Sequence, residues 1–139
     1  MDAFKHFTEI QIRFSDIDRL DHVNNACYLN YFELGRVRYF NAVLQRIDWN
    51  KQGFVLARTE INHLQPLHLN DLVTCATRVA SIGNKSLTME NKLFKLVAGE
   101  QIEVANGSGV LVASDYILKM PIEVPDAWRK AIATFEEWK

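Results

Sequence analysis

The chain has 139 residues, of which 48% are hydrophobic and 24% are charged, and its formal net charge is −1. This length suits one domain with a sizeable core, so we expect residues 1–139 to form a single domain, and the composition argues against disorder. The balanced charge, with Lys and Arg scattered along the chain, argues against a nucleic-acid-binding protein.

The sequence also argues against membrane insertion and secretion. The longest apolar runs, such as residues 109–113, are too short to cross a bilayer, and the stretch MDAFKHFTEI lacks the apolar run of a signal peptide. Cys27 and Cys75 belong to no CxxC or metal-ligand spacing, which is typical of reduced, packed thiols in a cytoplasmic protein. Cys27 as a nucleophile is the alternative, because it follows a polar cluster closely. We therefore expect a cytoplasmic protein without a membrane span.

The first elements of the chain are a strand, a polar cluster and a long helix. Residues 8–14, TEIQIRF, alternate apolar and polar side chains, which predicts a half-buried strand. Residues 15–33 read SDIDRLDHVNNACYLNYFE and place three aspartates, a histidine and two adjacent asparagines ahead of a helical pattern. From about Asn24 to Ile47 apolar residues cover most of the helix surface, so this helix should be enclosed on most sides. Glu33 and Arg36, one turn apart, can pair on its polar flank.

The remainder of the chain reads as strands followed by a short helix. Four long segments, rich in β-branched residues and separated by turn signals, predict antiparallel strands: 55–64, 72–82, 86–96 and 101–114. Gly107 and Gly109 share one face of the last strand, where missing side chains would let the helix backbone approach closely. After Pro125, the run DAWRKAIATFEEW predicts a short C-terminal helix.

This order of elements predicts an α+β fold in which a five-stranded antiparallel sheet wraps around one long central helix. One helix cannot cover both faces and both edges of such a sheet. A second copy of the chain that completes the sheet is therefore expected, in a homodimer or a homotetramer.

Spacing excludes several ligand sites for the polar cluster. In a calcium loop beginning at Asp16, the sixth and twelfth positions would be Asp21 and Cys27, where that loop needs glycine and glutamate. His22 lacks a second His or Cys nearby for zinc, and a segment without glycine does not cradle phosphate. We therefore expect no metal. Helix capping by Asp21 or Asn24 explains some of the six polar side chains in the cluster, but not all of them.

The pattern D-I-D-x-x-x-H-V-N-N-x-x-Y-L-x-Y-x-E-x-x-R, residues 16–36, resembles the motif of the hotdog-fold acyl-CoA thioesterases, most closely the 4-hydroxybenzoyl-CoA thioesterase-like group. The resemblance extends over the whole chain, because the predicted strand order is that of the hotdog fold. It implies an enzyme that hydrolyses an acyl-CoA thioester to a free acid and CoA at a dimer interface. No cofactor is implied, since CoA is part of the substrate.

The resemblance also implies roles for individual residues. Asp18 aligns with the catalytic carboxylate, which acts as nucleophile or general base, and Asn25 with the position whose backbone N–H polarises the thioester carbonyl. His22 matches a histidine that assists catalysis in several branches. Lys85 and Ser86 fall on a turn where some relatives bind the CoA phosphates.

The residues themselves support this chemistry but leave simpler interpretations open. A helix N-terminus offers unpaired N–H groups and a partial positive charge, so an aspartate folded back over it suits thioester hydrolysis. Tyr28 is a core residue or lines an acyl pocket, and Lys85 is either a phosphate ligand or a solvated turn residue. Glu33, whose position carries the catalytic carboxylate in another hotdog branch, is better explained as the partner of Arg36.

Two other functions fit the same fold. Hotdog enoyl-CoA hydratases or dehydratases carry a GDxNPxH-like run with Asp and His five residues apart, whereas Asp18 and His22 are four apart. A non-catalytic acyl-CoA-binding protein would bind CoA esters without releasing thiol, and fold alone does not separate it from an enzyme.

Overall fold

The computed structural model describes residues 3–139, which contain one β-sheet and two α-helices. The elements, in chain order, are β1 (His6–Ile10), a 3-10 turn (Phe14–Asp16), α1 (Asn25–Val43), β2 (Gln52–His63), β3 (Val73–Ile82), β4 (Ser86–Val97), β5 (Glu100–Asp115), β6 (Met120–Pro121) and α2 (Asp126–Glu136). No helix within these residues is long and apolar enough to span a membrane.

The sheet has the order β1-β3-β4-β5-β2, and every pairing in it is antiparallel. The predicted α+β fold with five strands around one helix is confirmed. The two-residue strand β6 adds a sixth strand by pairing with the end of β5. β1 and β2 form the two edges, and β2 is exposed at six successive positions, residues 55–60.

Helix α1 packs one face against the concave side of the sheet. Gly35 lies at the closest approach, because a Cβ atom there would stand 2.6 Å from the hydroxyl oxygen of Thr77 and 2.7 Å from the sulfur of Cys75. The opposite face is open, and Leu29 and Val37 are 38% and 47% exposed. The prediction that the helix is enclosed on most sides is therefore wrong for this chain by itself.

Two boundaries and one packing contact differ from the sequence prediction. β1 ends at Ile10 rather than at residue 14, because Arg13 and Asp16 bond to each other and close a 3-10 turn. The helix ends at Val43 instead of Ile47. At Gly107 the missing side chain makes room for the backbone carbonyl of Glu60 in the neighbouring strand β2 and for the ring of Phe32, a helix side chain, rather than for the helix backbone.

The C-terminal helix, which was predicted, is held against the sheet by one buried carboxylate. Glu136, in the last turn of α2, accepts hydrogen bonds from the hydroxyl of Tyr39 at 2.6 Å and from the amide of Val79 at 2.9 Å. The second bond satisfies a backbone donor beside the β-bulge in β3. α2 therefore packs against β3 and against the C-terminal half of α1.

Candidate active site

The loop in front of α1 is organised by the carboxylate of Asp16, which is 1% exposed. One of its oxygens, Oδ2, accepts hydrogen bonds from the amide of Arg13 at 3.0 Å and from the hydroxyl of Tyr31 at 2.7 Å. The other, Oδ1, accepts from the Arg13 guanidinium at 2.9 Å. Burial acts to raise the pKa of Asp16, but these hydrogen bonds and the positive charge outweigh it and hold the pKa below its usual value. Asp16 is therefore a structural anchor between the loop and α1.

Backbone hydrogen bonds close the loop from Ile17 to Val23. Ile17 and Val23 form an isolated antiparallel bridge, and the amide of Val23 donates to the carbonyl of Leu67 at 2.8 Å. The amide of Asn24 donates to the carbonyl of Asp16, also at 2.8 Å. The loop consequently begins and ends at the same point, directly before α1, and its tip is held over the start of the helix.

Asp18 lies in this loop with one carboxylate oxygen committed and the other available. Its Oδ1 accepts hydrogen bonds from the amides of Leu20 at 2.8 Å and His22 at 3.3 Å. Its Oδ2 accepts no hydrogen bond from any residue between 3 and 139, and the residue is exposed. The loop amides thus orient the carboxylate and leave one oxygen for a ligand or a water molecule.

The N-terminus of α1 supplies donors to the same place. Asn24 caps the helix by accepting from the amide of Ala26 at 2.9 Å, which confirms the capping interpretation for this residue. The amide of Asn25, the first residue of the helix, has no acceptor in the part of the chain that the structure describes. An unpaired N–H at the positive end of a 19-residue helix is a site for a negatively charged oxygen.

These groups line one cavity of about 440 Å³, called the α1 cleft below, a volume typical of small-molecule sites. Its walls are formed by the loop, the first turn of α1 and the segment that follows β2: Asp18, Leu20, His22, Val23, Asn24, Asn25, Tyr28, His63, Leu64, Gln65 and Pro66. Four of the residues singled out in the sequence, Asp18, His22, Asn25 and Tyr28, are therefore brought together.

The contribution of residues 63–66 was missed by the sequence analysis. The ring of His63 packs edge-on against Tyr28 with centroids 4.7 Å apart, and the Tyr28 hydroxyl donates to the carbonyl of Gln65 at 3.4 Å. Burial raises the pKa of Tyr28, so its hydroxyl stays protonated. The available signal was a proline-containing run, His63 to Pro66, at the end of a long strand, which only the sheet topology connects to the helix.

His22 is held by a second histidine outside the α1 cleft. Its ring packs edge-on against that of His68 with centroids 5.0 Å apart, and the amide of His68 donates to a carboxylate oxygen of Asp71 at 2.8 Å. Within residues 3–139 no three His, Cys, Asp or Glu side chains are grouped so as to hold a metal ion.

Lys85 and Ser86 lie elsewhere in the chain. Ser86 begins β4 opposite Val112, which in turn pairs with Val55 near the start of β2, whereas the α1 cleft lies beyond the end of β2. Neither Lys85 nor Ser86 lines this cleft. Within a single chain, these two residues therefore lie the length of the sheet away from Asp18.

Two further expectations concern side chains near the motif. The sulfur of Cys27 lies 3.7 Å from Oδ1 of Asp16, and burial together with that negative charge raises the pKa of the thiol. A protonated thiol turned toward Asp16 does not suit a nucleophile. Glu33 and Arg36 form no ion pair with each other within residues 3–139; Arg36 is buried and Glu33 is exposed, and the Glu33 charge only acts to raise the pKa of Arg36. The predicted pairing on the helix flank is wrong.

In the comparisons with known proteins, the family model and the relatives described here are all thioesterases or thioesterase-like. A model of the thioesterase-like superfamily matches residues 12–132. The structure of a thioesterase from Thermus thermophilus, complexed with coenzyme A and zinc, is 37% identical to this chain and superposes with a TM-score of 0.86. The match extends over 100% of this chain and 99% of that one. The chloroplastic acyl-acyl carrier protein thioesterase ATL2 of Arabidopsis thaliana is 29% identical over 94% of this chain and 70% of its own length. The long-chain acyl-CoA thioesterase FadM of Escherichia coli is 31% identical over 57% of this chain and 61% of its own length.

Proposed function

Since the chain belongs to the thioesterase-like superfamily and is a thioester hydrolase with the hotdog fold, we propose that it hydrolyses acyl-CoA thioesters to a free acid and CoA. The observation that carries this proposal is the α1 cleft, where the available oxygen of Asp18 and the unpaired amide of Asn25 line one cavity. Relatives named for acyl-CoA or coenzyme A support CoA as the thiol part of the substrate.

In the proposed reaction the thioester oxygen accepts a hydrogen bond from the amide of Asn25, which stabilises the negative charge that develops as the carbonyl is attacked. Oδ2 of Asp18 attacks the carbonyl carbon directly, or it removes a proton from an attacking water molecule. The carbon–sulfur bond breaks, and CoA leaves as a thiolate that takes up the proton released by the attacking water. The ring of His22 at the cleft wall assists this proton transfer. After direct attack the acyl group is left on Asp18 as a mixed anhydride, which a water molecule then hydrolyses to the free acid, restoring the carboxylate. The residues need no metal or other cofactor for these steps.

The proposed enzyme is a homo-oligomer whose active site lies at a subunit interface. β2 is twelve residues long, and its outer edge has no partner strand among residues 3–139. Antiparallel pairing of two β2 strands, in a homodimer or within a homotetramer, would continue the sheet and cover the open face of α1. It would also bring the start of one β2, with its neighbouring Lys85 turn, beside the end of the other. Lys85 and Ser86 would then bind the CoA phosphates over the other chain's α1 cleft.

Tyr28 lines the acyl part of this site in the proposal, because its ring forms a cleft wall and its hydroxyl is occupied by the Gln65 carbonyl. We place the reaction in the cytoplasm. Both cysteines, Cys27 and Cys75, are free thiols, which suits a reducing compartment.

The proposal is tested by replacing Asp18 and measuring thiol release. Asp18→Asn should lower kcat for acyl-CoA hydrolysis by about 10²–10⁴-fold, because the carboxylate is the reacting group. Asp21→Asn is the matched control, since Asp21 is exposed in the same loop but does not line the cleft. Its φ of 62° is a conformation that Asn adopts readily, so this variant should keep wild-type activity.

A colorimetric thiol assay across acyl lengths, with one aromatic thioester, provides the readout, and the melting temperature confirms that each variant is folded. A folded Asp18→Asn enzyme with full activity would refute the assignment. Hydration of crotonyl-CoA, or binding of CoA esters without thiol release by the wild-type protein, would instead favour the hydratase or the non-catalytic alternative.

A further inference from the structure

A second cavity, of about 410 Å³, lies between the C-terminal half of α1 and the start of β2 and is called the aromatic cavity below. It shares no lining residue with the α1 cleft. The rings of Phe40 and Phe54 stack in parallel with centroids 4.8 Å apart, and Trp49 packs against Phe40 at 5.8 Å. Leu56 and Leu111 complete walls that are predominantly apolar.

Arg36 is the one positively charged residue that lines this cavity. It lines the cavity, is only 6% exposed, and forms no hydrogen bond or ion pair with any residue between 3 and 139. A guanidinium group stays protonated in proteins, and a buried charge without a partner is costly. The one acidic residue that lines the cavity, Glu33, is exposed and forms no ion pair with Arg36, although its charge acts to raise the pKa of Arg36 against the lowering by burial. The cavity therefore combines largely apolar walls with one guanidinium group that makes no hydrogen bond to the described residues.

We propose that the aromatic cavity binds an apolar carboxylic acid, such as a free fatty acid, with its carboxylate on Arg36 and its hydrocarbon part against the aromatic rings. A carboxylate fits the planar fork of a guanidinium with two parallel hydrogen bonds, and both are strengthened away from water. The hydrocarbon part gains from burial against Phe40 and Phe54. An apolar pocket with one well-placed polar group is the common design of small-molecule sites.

The position of the cavity suggests where the acid comes from. Val37 and Leu56 line the aromatic cavity and are 47% and 42% exposed in the single chain, so the cavity opens on the side of α1 and β2 that the proposed pairing would bring to the second chain. Antiparallel pairing of two β2 strands about their middle would set this opening beside the other chain's α1 cleft, where a carboxylic acid is released. The identification of the acid as the reaction product rests on the proposed function, whereas the binding of a carboxylate to Arg36 does not.

Binding is measured by calorimetry on the intact oligomer with laurate, and with 1-dodecanol as the uncharged ligand of equal length. The wild-type protein should bind laurate at least about tenfold more tightly than the alcohol, as expected for a charge-assisted hydrogen bond in a dry site. Arg36→Met should abolish this preference and retain binding of the alcohol. Glu33→Gln should tighten laurate binding, because it removes the negative charge nearest to the carboxylate.

Three results would overturn the proposal: equal affinity of the wild-type protein for laurate and the alcohol, an unchanged preference in a folded Arg36→Met protein, or dissociation of the oligomer by Arg36→Met with no laurate binding by the wild type. The last result would indicate that Arg36 forms an ion pair with an acidic residue of a second chain. Asp18→Asn should bind laurate normally, since Asp18 does not line the aromatic cavity. Failure of thiol release with intact laurate binding would therefore count against the proposed function and not against this site.

Discussion

Replacing Asp16 by Asn is expected to destabilise the protein and leave its chemistry intact, the reverse of the outcome for Asp18. An Asn side chain keeps one acceptor oxygen, which is best placed at the Oδ2 position, where it still receives the Arg13 amide and the Tyr31 hydroxyl. Its amide group then faces the Arg13 guanidinium, which is 66% exposed and can turn into solvent. The loss is the charge-assisted part of these two hydrogen bonds, one buried and one partly buried, about 2 kcal/mol in the free energy of unfolding. For a chain of this size that lowers the melting temperature by about 6–10 °C.

The destabilisation should depend on pH in a defined direction. The pKa of Asp16 in the folded protein lies below the value of 3.8 that it has when unfolded. The unfolded chain therefore takes up the proton first as pH falls, so the stabilisation by this carboxylate is complete above about pH 4 and is lost as pH falls through the folded pKa. The difference in stability between wild type and Asp16→Asn should be constant near pH 7 and shrink in acid.

Urea unfolding of both proteins between pH 7 and pH 3, followed by circular dichroism, measures this difference, and thiol release at a temperature where both are folded measures activity. Activity of Asp16→Asn should stay within a factor of a few of wild type. Equal stability at pH 7, or a difference that persists unchanged in acid, would show that the Asp16 carboxylate does not anchor the loop. A loss of activity as large as that of Asp18→Asn would show that the two aspartates act together.

Three other substitutions test the packing and the capping of the helices, each by urea unfolding. Gly35→Ala should cost about 1–3 kcal/mol, because its methyl group would stand 2.6 Å from a side-chain oxygen of β3. Asn24→Ala should cost about 1 kcal/mol through loss of the cap and should also lower kcat, since the cap positions the amides of the cleft. Glu136→Ala should cost about 2–3 kcal/mol by leaving the buried amide of Val79 unpaired, whereas Glu137→Ala, at an exposed position, should change stability little.

Most of the fold could be predicted from the sequence because local residue patterns identify its strands and helices. Period-two alternation marked the strands, and the change to a helical period, with Asn24 as the cap, marked α1. The errors arose where a side chain has a distant partner. The first strand stops early because Asp16 reaches Tyr31, fifteen residues further along the chain, while it also bonds Arg13.

The residues of the candidate site also fall into two groups, those that the sequence motif identified and those that only strand pairing placed. Asp18, His22 and Asn25 are so close in the chain that one loop and one helix turn must place them near each other, and the motif alone was enough to select them. His63 entered the α1 cleft through the register of β2, and Lys85 was separated from it by the length of the sheet. Neither fact has a local signal, because strand pairing joins residues that are far apart in sequence.

By itself the amino-acid sequence determined the architecture, since periodicity, capping and loop length act over a few residues, and its resemblance to the thioesterase motif selected the helix N-terminus and Asp18 for the proposed reaction. Only the tertiary structure decided that Asp16 is an anchor while Asp18 keeps an oxygen available, and that Arg36 faces an aromatic cavity instead of Glu33. Burial and long-range packing make these choices, because they determine which of two similar side chains loses contact with water.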